Sequence, residues 1–340
     1  MKNDTTTPSA DHALPRRRQV LQIGAAGAAL GVLGAPAILR AQTKPTIRVG
    51  YWPIAAGLPF YSAVELGYFK EAGVNVEVLK FAGAQQIMEA MLSDRCDGSA
   101  NGTGSANIAI GELAQPGTFK IFCSNPSNVD NVLDEVIVPV ASTAKTIADL
   151  KGKRIASGPG IQNVTLAKTV LERGGATGAT VVELPIGQHV AAIAGGQIDG
   201  AYTLEPTGTI GRLNGTTRTL EAGVIAHYVL GDPKAPWFGG SASLTSSFIQ
   251  KYPEEAKKFI TAYGRGVAYV RSKNTESRQF LKNYTAIEGA LTSEVPLAAY
   301  MMYNEFKPTD VAHFQKFYDL FSEKGIFSRR LMVDSMLYKA

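Results

Sequence analysis

Five short segments of the sequence combine small residues with polar side chains that can hydrogen-bond a small molecule. They read WPIAAGLP (52–59), AGAQ (82–85), NGTGSAN (101–107), GPGIQN (158–163) and LEPT (204–207). Each follows the pattern of a β-strand and precedes that of a helix. Small residues allow close approach to the backbone, and helix N-termini offer unpaired N–H groups with a partial positive charge. The chemistry they indicate is reversible binding of a small solute.

The polar side chains in these segments are hydroxyl and amide groups. They belong to Thr103, Ser105, Gln162 and Asn163. For NGTGSAN, the alternative is a plain tight loop whose Gly and Ser serve backbone geometry and helix capping.

Three further residues have two interpretations each. Trp52 is either a flat wall that stacks on an organic ligand or an ordinary aromatic of the core or rim. Glu205 either accepts a hydrogen bond from the solute, or is solvated or paired with a neighbouring lysine. Trp237 either lines the cleft or packs at a hinge, and we favour the hinge.

Patterns typical of catalysis are missing from the sequence. NGTGSAN lacks the third glycine of a dinucleotide fingerprint, and no Lys-Ser or Lys-Thr follows GPGIQN. His189, His227 and His313 are isolated, without the spacing of a metal site, and no nucleophile-elbow motif is present. We therefore expect no enzyme, no cofactor and no metal, although related folds do host enzymes.

Two series of alternating strands and helices position these segments. The second series repeats the first, with Asp-Gly recurring in RCDGSANGTGS (95–105) and GQIDGAYTLEP (196–206). Two successive βαβαβ units predict an α/β fold of two lobes, each a mostly parallel sheet flanked by helices. Ligands of such sheets collect outside the carboxyl ends of the strands. The repeated phrase therefore predicts two rims that face one cleft.

The C-terminal third is mostly helical and must pack on an existing lobe. We predict that residues 45–135 and 236–340 form the first lobe and that 136–235 form the second. Two crossing strands would then form the hinge.

The N-terminus has the layout of an export signal. Three arginines at 16–18 precede a soft apolar stretch rich in Gly and Ala, and small residues close it near Ala41. The paired arginines resemble the twin-arginine signal, with the general secretory route as the alternative. Without residues 1–41 the net charge falls from +5 to +2, which gives no argument for binding nucleic acid or an anionic membrane. The two cysteines, Cys96 and Cys123, either form a disulfide or are separately buried thiols, which we favour.

Three segments, GYFKEAGVNVEV, DLKGKRIASGPG and GGQIDGAYTLEP, resemble those of the nitrate/sulfonate/taurine-type substrate-binding proteins of ABC importers, a group that includes thiamine-pyrimidine-type binders. The resemblance covers roughly residues 47–218 and implies the two-lobed periplasmic-binding-protein fold (type II). It also implies that Pro53, Ala56 and Gly160 join Trp52, Gln162, Asn163 and Glu205 around the ligand. Pro159 and Gly160 interrupt the loop in which sulfonate binders often carry Ser or Thr, so the sulfonate assignment is weaker than the family assignment.

These observations together predict a monomeric periplasmic protein that delivers a small organic anion, of sulfonate or carboxylate type, to an inner-membrane ABC permease. The alternatives are a receptor for a membrane sensor kinase, a binder of a pyrimidine-like heterocycle and an exported enzyme. The expected ligand-binding residues are Trp52, Pro53, Ala56, Gly83, Gly102, Thr103, Ser105, Asn125, Gly160, Gln162, Asn163 and Glu205.

Overall fold

The structure is a computed structural model that describes residues 44–340, which form one compact unit. The predicted export signal at residues 1–41 lies outside the described residues. The strands are β1 (Thr46–Tyr51), β2 (Asn75–Lys80), β3 (Gly98–Gly104), β4 (Phe119–Ser124), β5 (Asp134–Pro139), β6 (Arg154–Ser157), β7 (Thr180–Glu183), β8 (Gly200–Leu204), β9 (Thr217–Ala222), β10 (Gly240–Thr245) and β11 (Met301–Met302). The α-helices are α1 (Leu58–Glu65), α2 (Tyr68–Glu71), α3 (Ala84–Leu92), α4 (Ser105–Ala114), α5 (Ile161–Arg173), α6 (His189–Ala194), α7 (Thr207–Leu213), α8 (Ser246–Lys251), α9 (Pro253–Ser272), α10 (Asn274–Ser277), α11 (Leu291–Glu294), α12 (Pro308–Glu323) and α13 (Val333–Met336).

The strands form two sheets. The first has the order β11-β4-β10-β3-β1-β2 and the second has the order β7-β6-β8-β5-β9. The predicted α/β fold class is confirmed, because four of the six strands in the first sheet and four of the five in the second run in one direction.

The chain passes twice between the sheets, and each passage leads into a reversed strand. β5 lies antiparallel between β8 and β9, and β10 lies antiparallel between β3 and β4. The two passages are hydrogen-bonded to each other. The Ser127 N–H donates to the Trp237 carbonyl at 3.0 Å, and the Trp237 N–H donates to the Ser127 carbonyl at 2.9 Å.

The helices follow the apolar periodicity of the sequence, with two local differences. The sequence predicts one helix over 58–73, but Gly67 adopts a left-handed φ of 71° and separates α1 from α2. Thr309 is expected to cap the last long helix, but α12 already begins at Pro308. In the long helix α9, Gly266 permits close packing on α1, because a Cβ there would overlap the carbonyl oxygen of Pro59.

The repeated Asp-Gly phrase stabilises the amino ends of the strands, the edge opposite to the predicted cleft. In the first sheet, the Arg48 N–H donates to Asp97 Oδ2 at 2.9 Å, and the Asp97 N–H donates to the Arg48 carbonyl at 2.8 Å. The same pair of bonds joins Arg154 and Asp199 in the second sheet, each at 2.8 Å. The phrase therefore recurs because both sheets fix their strand register in the same way. The small residues that follow it lead to the other edge.

The two cysteines are free and buried. Burial raises the pKa of the Cys96 thiol to about 11 and that of the Cys123 thiol to about 12. They therefore act as small apolar core residues.

Candidate functional site

A small cavity lies where elements of the two sheets meet. The cavity volume is about 10 Å³, which leaves room for about one water molecule. The lining residues are Trp52, Ile54, Ala84, Gly102, Gly104, Asn107, Leu133, Gln162, Asn163, Leu204, Trp237, Gly239 and Gly240. Within residues 44–340, none of these lining side chains carries a charge.

Gln162 connects the two sheets through its side-chain amide. It lies in the first turn of α5, which follows β6 of the second sheet, and is 5% exposed. Its Oε1 accepts a hydrogen bond from the Ala106 N–H at 2.8 Å, in the first turn of α4. Its Nε2 donates to the Gly239 carbonyl at 2.8 Å, one residue before β10. One side chain therefore uses a donor and an acceptor of the opposite rim.

Both tryptophans of the protein line this cavity. Trp52 follows β1 directly, and its Nε1–H donates to the Gly102 carbonyl at 2.8 Å. Trp237 is 2% exposed, and its Nε1–H has no partner among the described residues. The side chain of Trp237 thus faces the cavity while its backbone pairs with the other passage between the sheets.

Four of the twelve expected ligand-binding residues line the cavity directly. They are Trp52, Gly102, Gln162 and Asn163. The side-chain Nδ2 of Asn163 donates to the Pro159 carbonyl at 3.1 Å, within its own loop.

Three of the expected residues support the rim from behind. Thr103 Oγ1 donates to the Ala100 carbonyl at 2.9 Å, and the hydroxyl of Ser105 lies 2.9 Å from that of Ser241. Asn125 Oδ1 accepts from the Gly102 N–H at 2.9 Å. These buried side chains fix the turn between β3 and α4.

The loops that carry Gly83 and Gly160 approach each other beside the cavity. A Cβ on Gly83 would lie 3.9 Å from the Pro159 ring, and one on Gly160 would lie 3.0 Å from Gln85 Oε1. Pro53 is partly exposed and Ala56 is buried in the short helix Ala55–Gly57, and neither lines the cavity.

Glu205 is directed into an internal ion cluster and does not line the cavity. Its side chain is fully buried, and its carboxylate accepts from Arg212 Nη2 at 3.0 Å and from the Thr209 N–H at 3.0 Å. Arg212 Nη1 also donates to Glu135 Oε2 at 2.9 Å. Burial, together with the charge of Glu205, raises the pKa of the Glu135 carboxyl. The arrangement resembles the expected pairing of Glu205 with a lysine, with Arg212 as the partner.

Several lining residues were not among those expected, namely Ile54, Ala84, Gly104, Asn107, Leu133, Leu204, Trp237, Gly239 and Gly240. Five of them lie within the segments singled out in the sequence, namely Ile54, Ala84, Gly104, Asn107 and Leu204. The other four lie at the start of the reversed strands β5 and β10, which do not follow the pattern of a strand before a helix. β10 runs in reverse, so its amino end reaches the binding edge. The run WFGG (237–240) after the second passage was the available signal.

His189, one of the three isolated histidines, is held by structural hydrogen bonds. His189 is buried, with Nδ1 3.1 Å from Thr203 Oγ1 and Nε2 3.0 Å from the Leu184 carbonyl. Burial lowers the pKa of His189 to about 4, so this imidazole is neutral at pH 7. Among residues 44–340, no group of three or more His, Cys, Asp and Glu side chains is placed to hold a metal ion.

Comparison with solved structures shows the fold. The alkanesulfonate-binding protein SsuA from Xanthomonas axonopodis pv. citri bound to MOPS superimposes with a TM-score of 0.69 at 18% identity, over 87% of this chain and 99% of that one. The periplasmic nitrate-binding protein NrtA from Synechocystis PCC 6803 gives 0.63 at 14% identity, over 86% and 84%. The desulfurization enzyme DszB gives 0.63 at 12% identity, over 86% and 96%. The two-lobed periplasmic-binding-protein fold is therefore confirmed, and it is shared by binding proteins and an enzyme.

Sequence comparison gives the family. No curated protein matches the chain significantly. No helix within residues 44–340 has both the length and the apolar character needed to cross a bilayer. The sequence model described as NMT1/THI5 like matches residues 56–277, more than half of the chain, and the protein therefore belongs to the NMT1/THI5-like family.

Proposed function

We propose that this protein is a periplasmic solute-binding protein that delivers a small organic solute to an ABC importer. The observation that carries the proposal is the cavity between the two rims, where Gln162 of one rim is hydrogen-bonded to Ala106 and Gly239 of the other. Two of the structural neighbours are named as binding proteins for alkanesulfonate and nitrate, which supports a binding role. The sequence favours an organic anion of sulfonate or carboxylate type as the solute.

The mechanism is separation and closure of two lobes. We assign residues 45–135 and 236–340 to one lobe and 136–235 to the other, with the Ser127–Trp237 pairing at the crossing. The cavity has room for about one water, so an organic solute enters only when the rims part. Two hydrogen bonds contribute roughly 1 kcal/mol each, and shifting a population from 1:99 to 99:1 needs about 5.5 kcal/mol. The Gln162 bonds alone therefore leave opening accessible.

The export segment at residues 1–41 would place the protein in the periplasm. There, the closed form would dock on an inner-membrane permease that releases the solute. The protein would work as a monomer and without a cofactor, because binding and release involve no bond making.

Intrinsic fluorescence tests the proposal, since both tryptophans of the chain line the cavity. The protein is titrated with alkanesulfonates, carboxylates and amides, and we expect at least one compound to shift the emission and raise the melting temperature. Trp52→Phe and Trp237→Phe separate the two contributions. A panel without any effect on emission or melting, together with native mass spectra that show no co-purified small molecule, would refute the binding role.

Importer delivery has its own test. Disrupting the chromosomal gene should abolish uptake of the radiolabelled solute that binds in the titration, and disrupting the adjacent permease gene should have the same effect. Normal uptake in the strain without the binding protein would contradict the delivery role and favour a signalling receptor.

A further inference from the structure

The Gln162 side chain shows which chemical group can bind to the rim of the first sheet, which consists here of the start of α4 and the residue before β10. This rim presents the Ala106 N–H as a donor and the Gly239 carbonyl as an acceptor, and the glutamine amide satisfies both at 2.8 Å. A primary amide carries one acceptor and one donor in a single plane. A sulfonate or carboxylate in the same position would satisfy the N–H group but would place a negative oxygen against the Gly239 carbonyl oxygen.

The electrostatics of the cavity also favour an uncharged group. None of the lining side chains is cationic within the described part of the chain. Arg212 is already bonded to both Glu135 and Glu205 and lies outside the lining. An anion would have only the N-termini of α3, α4 and α5 as electrostatic support, without a cationic side chain, whereas hydrogen-bonded neutral groups are buried at much lower cost than an unpaired charge.

Two buried polar atoms point to a second polar position on the solute. They are Trp237 Nε1, in a lining residue that is 2% exposed, and Asn107 Oδ1, in one that is 3% exposed. Neither atom has a hydrogen-bond partner among residues 44–340. Leaving a buried polar group unpaired is costly, so a solute that supplies its partner gains affinity. Trp52 and Trp237, which both line the cavity, contribute aromatic surface for a flat apolar body.

The glycines of the rim make the amide position accessible. A Cβ on Gly104 would lie 2.8 Å from Gln162 Oε1, closer than a side chain tolerates, and one on Gly240 would lie 2.7 Å from Asn125 Oδ1. Replacing either glycine would therefore displace a group that forms the site. The rim fits a planar amide held close to the backbone.

We propose that the solute is an uncharged planar molecule with a carboxamide or lactam group, which replaces the Gln162 amide on the Ala106 N–H and the Gly239 carbonyl. This inference rests on the proposed solute-binding function and replaces the anion expected from the sequence. Gln162 is then a competitor for the site: it holds the rims together through the same two bonds and gives them up to the solute.

Three probes of similar size and different polar group test the inference: benzamide, benzoate and benzenesulfonate. Each is titrated into the wild-type protein and the Gln162→Ala variant, with tryptophan emission and calorimetry as readouts. We expect benzamide to bind the wild type more tightly than either anion. We also expect it to bind Gln162→Ala roughly thirty-fold more tightly than the wild type, because two hydrogen bonds of about 1 kcal/mol each no longer compete.

Asn163→Ala is the matched control. It also shortens a buried amide that lines the cavity, but it leaves the Gln162 bonds intact. We expect no comparable gain in benzamide affinity from this variant. Equal gains in the two variants would show that added space, and not competition, is responsible, and would overturn the role of Gln162.

The other outcomes separate this inference from the proposed function. Tighter binding of benzoate or benzenesulfonate than of benzamide overturns the amide assignment and leaves solute binding intact. Weaker benzamide binding in Gln162→Ala shows that Gln162 is a contact of the solute and not its competitor, which also overturns the inference. Binding of none of these probes, in either protein, overturns the amide assignment, and the wider solute panel then decides the proposed function separately.

Discussion

Replacement of Arg212 tests how much the buried ion cluster with Glu135 and Glu205 contributes to the stability of this fold. Arg212 is the only cation within hydrogen-bonding distance of Glu135 and Glu205 among the described residues, and both carboxylates have almost no exposed side-chain surface. Arg212→Met keeps much of the aliphatic volume but leaves two buried carboxylates without a counter-charge. Their hydrogen bonds from Thr219 and Thr209 remain.

The magnitude follows from burial. Removing one partner of a buried ion pair costs about 3–5 kcal/mol, and the cost here should be about 2–4 kcal/mol because the Arg212 side chain is 34% exposed and partly hydrated. For a chain of this size, each kcal/mol lowers the melting temperature by about 2–4 °C. We therefore expect Arg212→Met to melt roughly 5–10 °C below the wild type near neutral pH.

The pH dependence gives an independent check. The pKa of Glu135 is raised in the folded state by burial and by Glu205, and Arg212 opposes this rise. A folded-state pKa above the unfolded value means that the folded state binds more protons, so this contribution to stability grows as pH falls from about 8 to about 5. Loss of Arg212 removes the charge that opposes this rise and therefore raises the pKa of Glu135 further. The deficit of the variant should therefore shrink as pH falls through this range.

Arg154→Met is the control for Arg212→Met. Arg154 lies in β6, in the sheet that also contains Glu135, but its Nε lies 3.8 Å from Asp199 Oδ2 and the two side chains are 54% and 36% exposed. Such a pair contributes about 0–1 kcal/mol. Thermal and urea unfolding of both variants at several pH values provides the data. Equal losses in the two variants, or a deficit in Arg212→Met that does not change with pH, would refute the reasoning.

Three further predictions concern the sheets and the core. Asp97→Ala should lower the free energy of unfolding by about 1.5–3 kcal/mol, because the Asp97 carboxylate is 15% exposed and accepts bonds from the backbone and the guanidinium of Arg48. Asp199→Ala should lower it by less than about 1 kcal/mol, because the Asp199 side chain is 36% exposed. Urea unfolding compares the two variants, and equal losses would contradict the argument. Gly240→Ala should lower the free energy of unfolding by about 1–3 kcal/mol, because the added Cβ would lie 2.7 Å from Asn125 Oδ1. Unchanged stability would show that the neighbouring residues can move to make room for the methyl group. The thiols of Cys96 and Cys123 should react with an aromatic disulfide reagent only in denaturant, since both are buried with raised pKa values, and rapid labelling of the native protein would contradict this.

The elements of the fold could be predicted from local sequence because their signals are local. The interval predicted as the third helix, 105–114, is α4 as the structure has it, and the alternating strands β1 and β2 follow their period-two pattern. The break at Gly67 was missed, because a glycine inside an apolar periodic stretch does not reveal whether it adopts a left-handed conformation.

The surroundings of the site depend on long-range pairing, which a single sequence does not encode locally. Glu205 looked accessible because it follows a strand at the predicted rim. Its partner Arg212 lies in the helix that follows, and Glu135 comes from the neighbouring strand β5, 77 residues before Arg212. For Trp237 the sequence left the cleft and the hinge open, with the hinge favoured. In the structure Trp237 lines the cavity, and its backbone pairs with Ser127 where the chain passes between the two sheets.

The two ends of each sheet divide structure and binding between them. At the amino ends, Arg48 with Asp97 and Arg154 with Asp199 form the same two bonds, one from the arginine N–H to the aspartate carboxylate and one from the aspartate N–H to the arginine carbonyl, which fix strand register at the edge opposite to the cavity. The carboxyl ends are thereby free to use glycines and short polar side chains, which add little stability but allow a close approach to the backbone. The repeated phrase reflects this division: its aspartates belong to the structural edge, and the small residues that follow them lead to the binding edge. Substitutions at the aspartates should therefore change stability without changing solute affinity, whereas substitutions at Gln162 should change solute affinity.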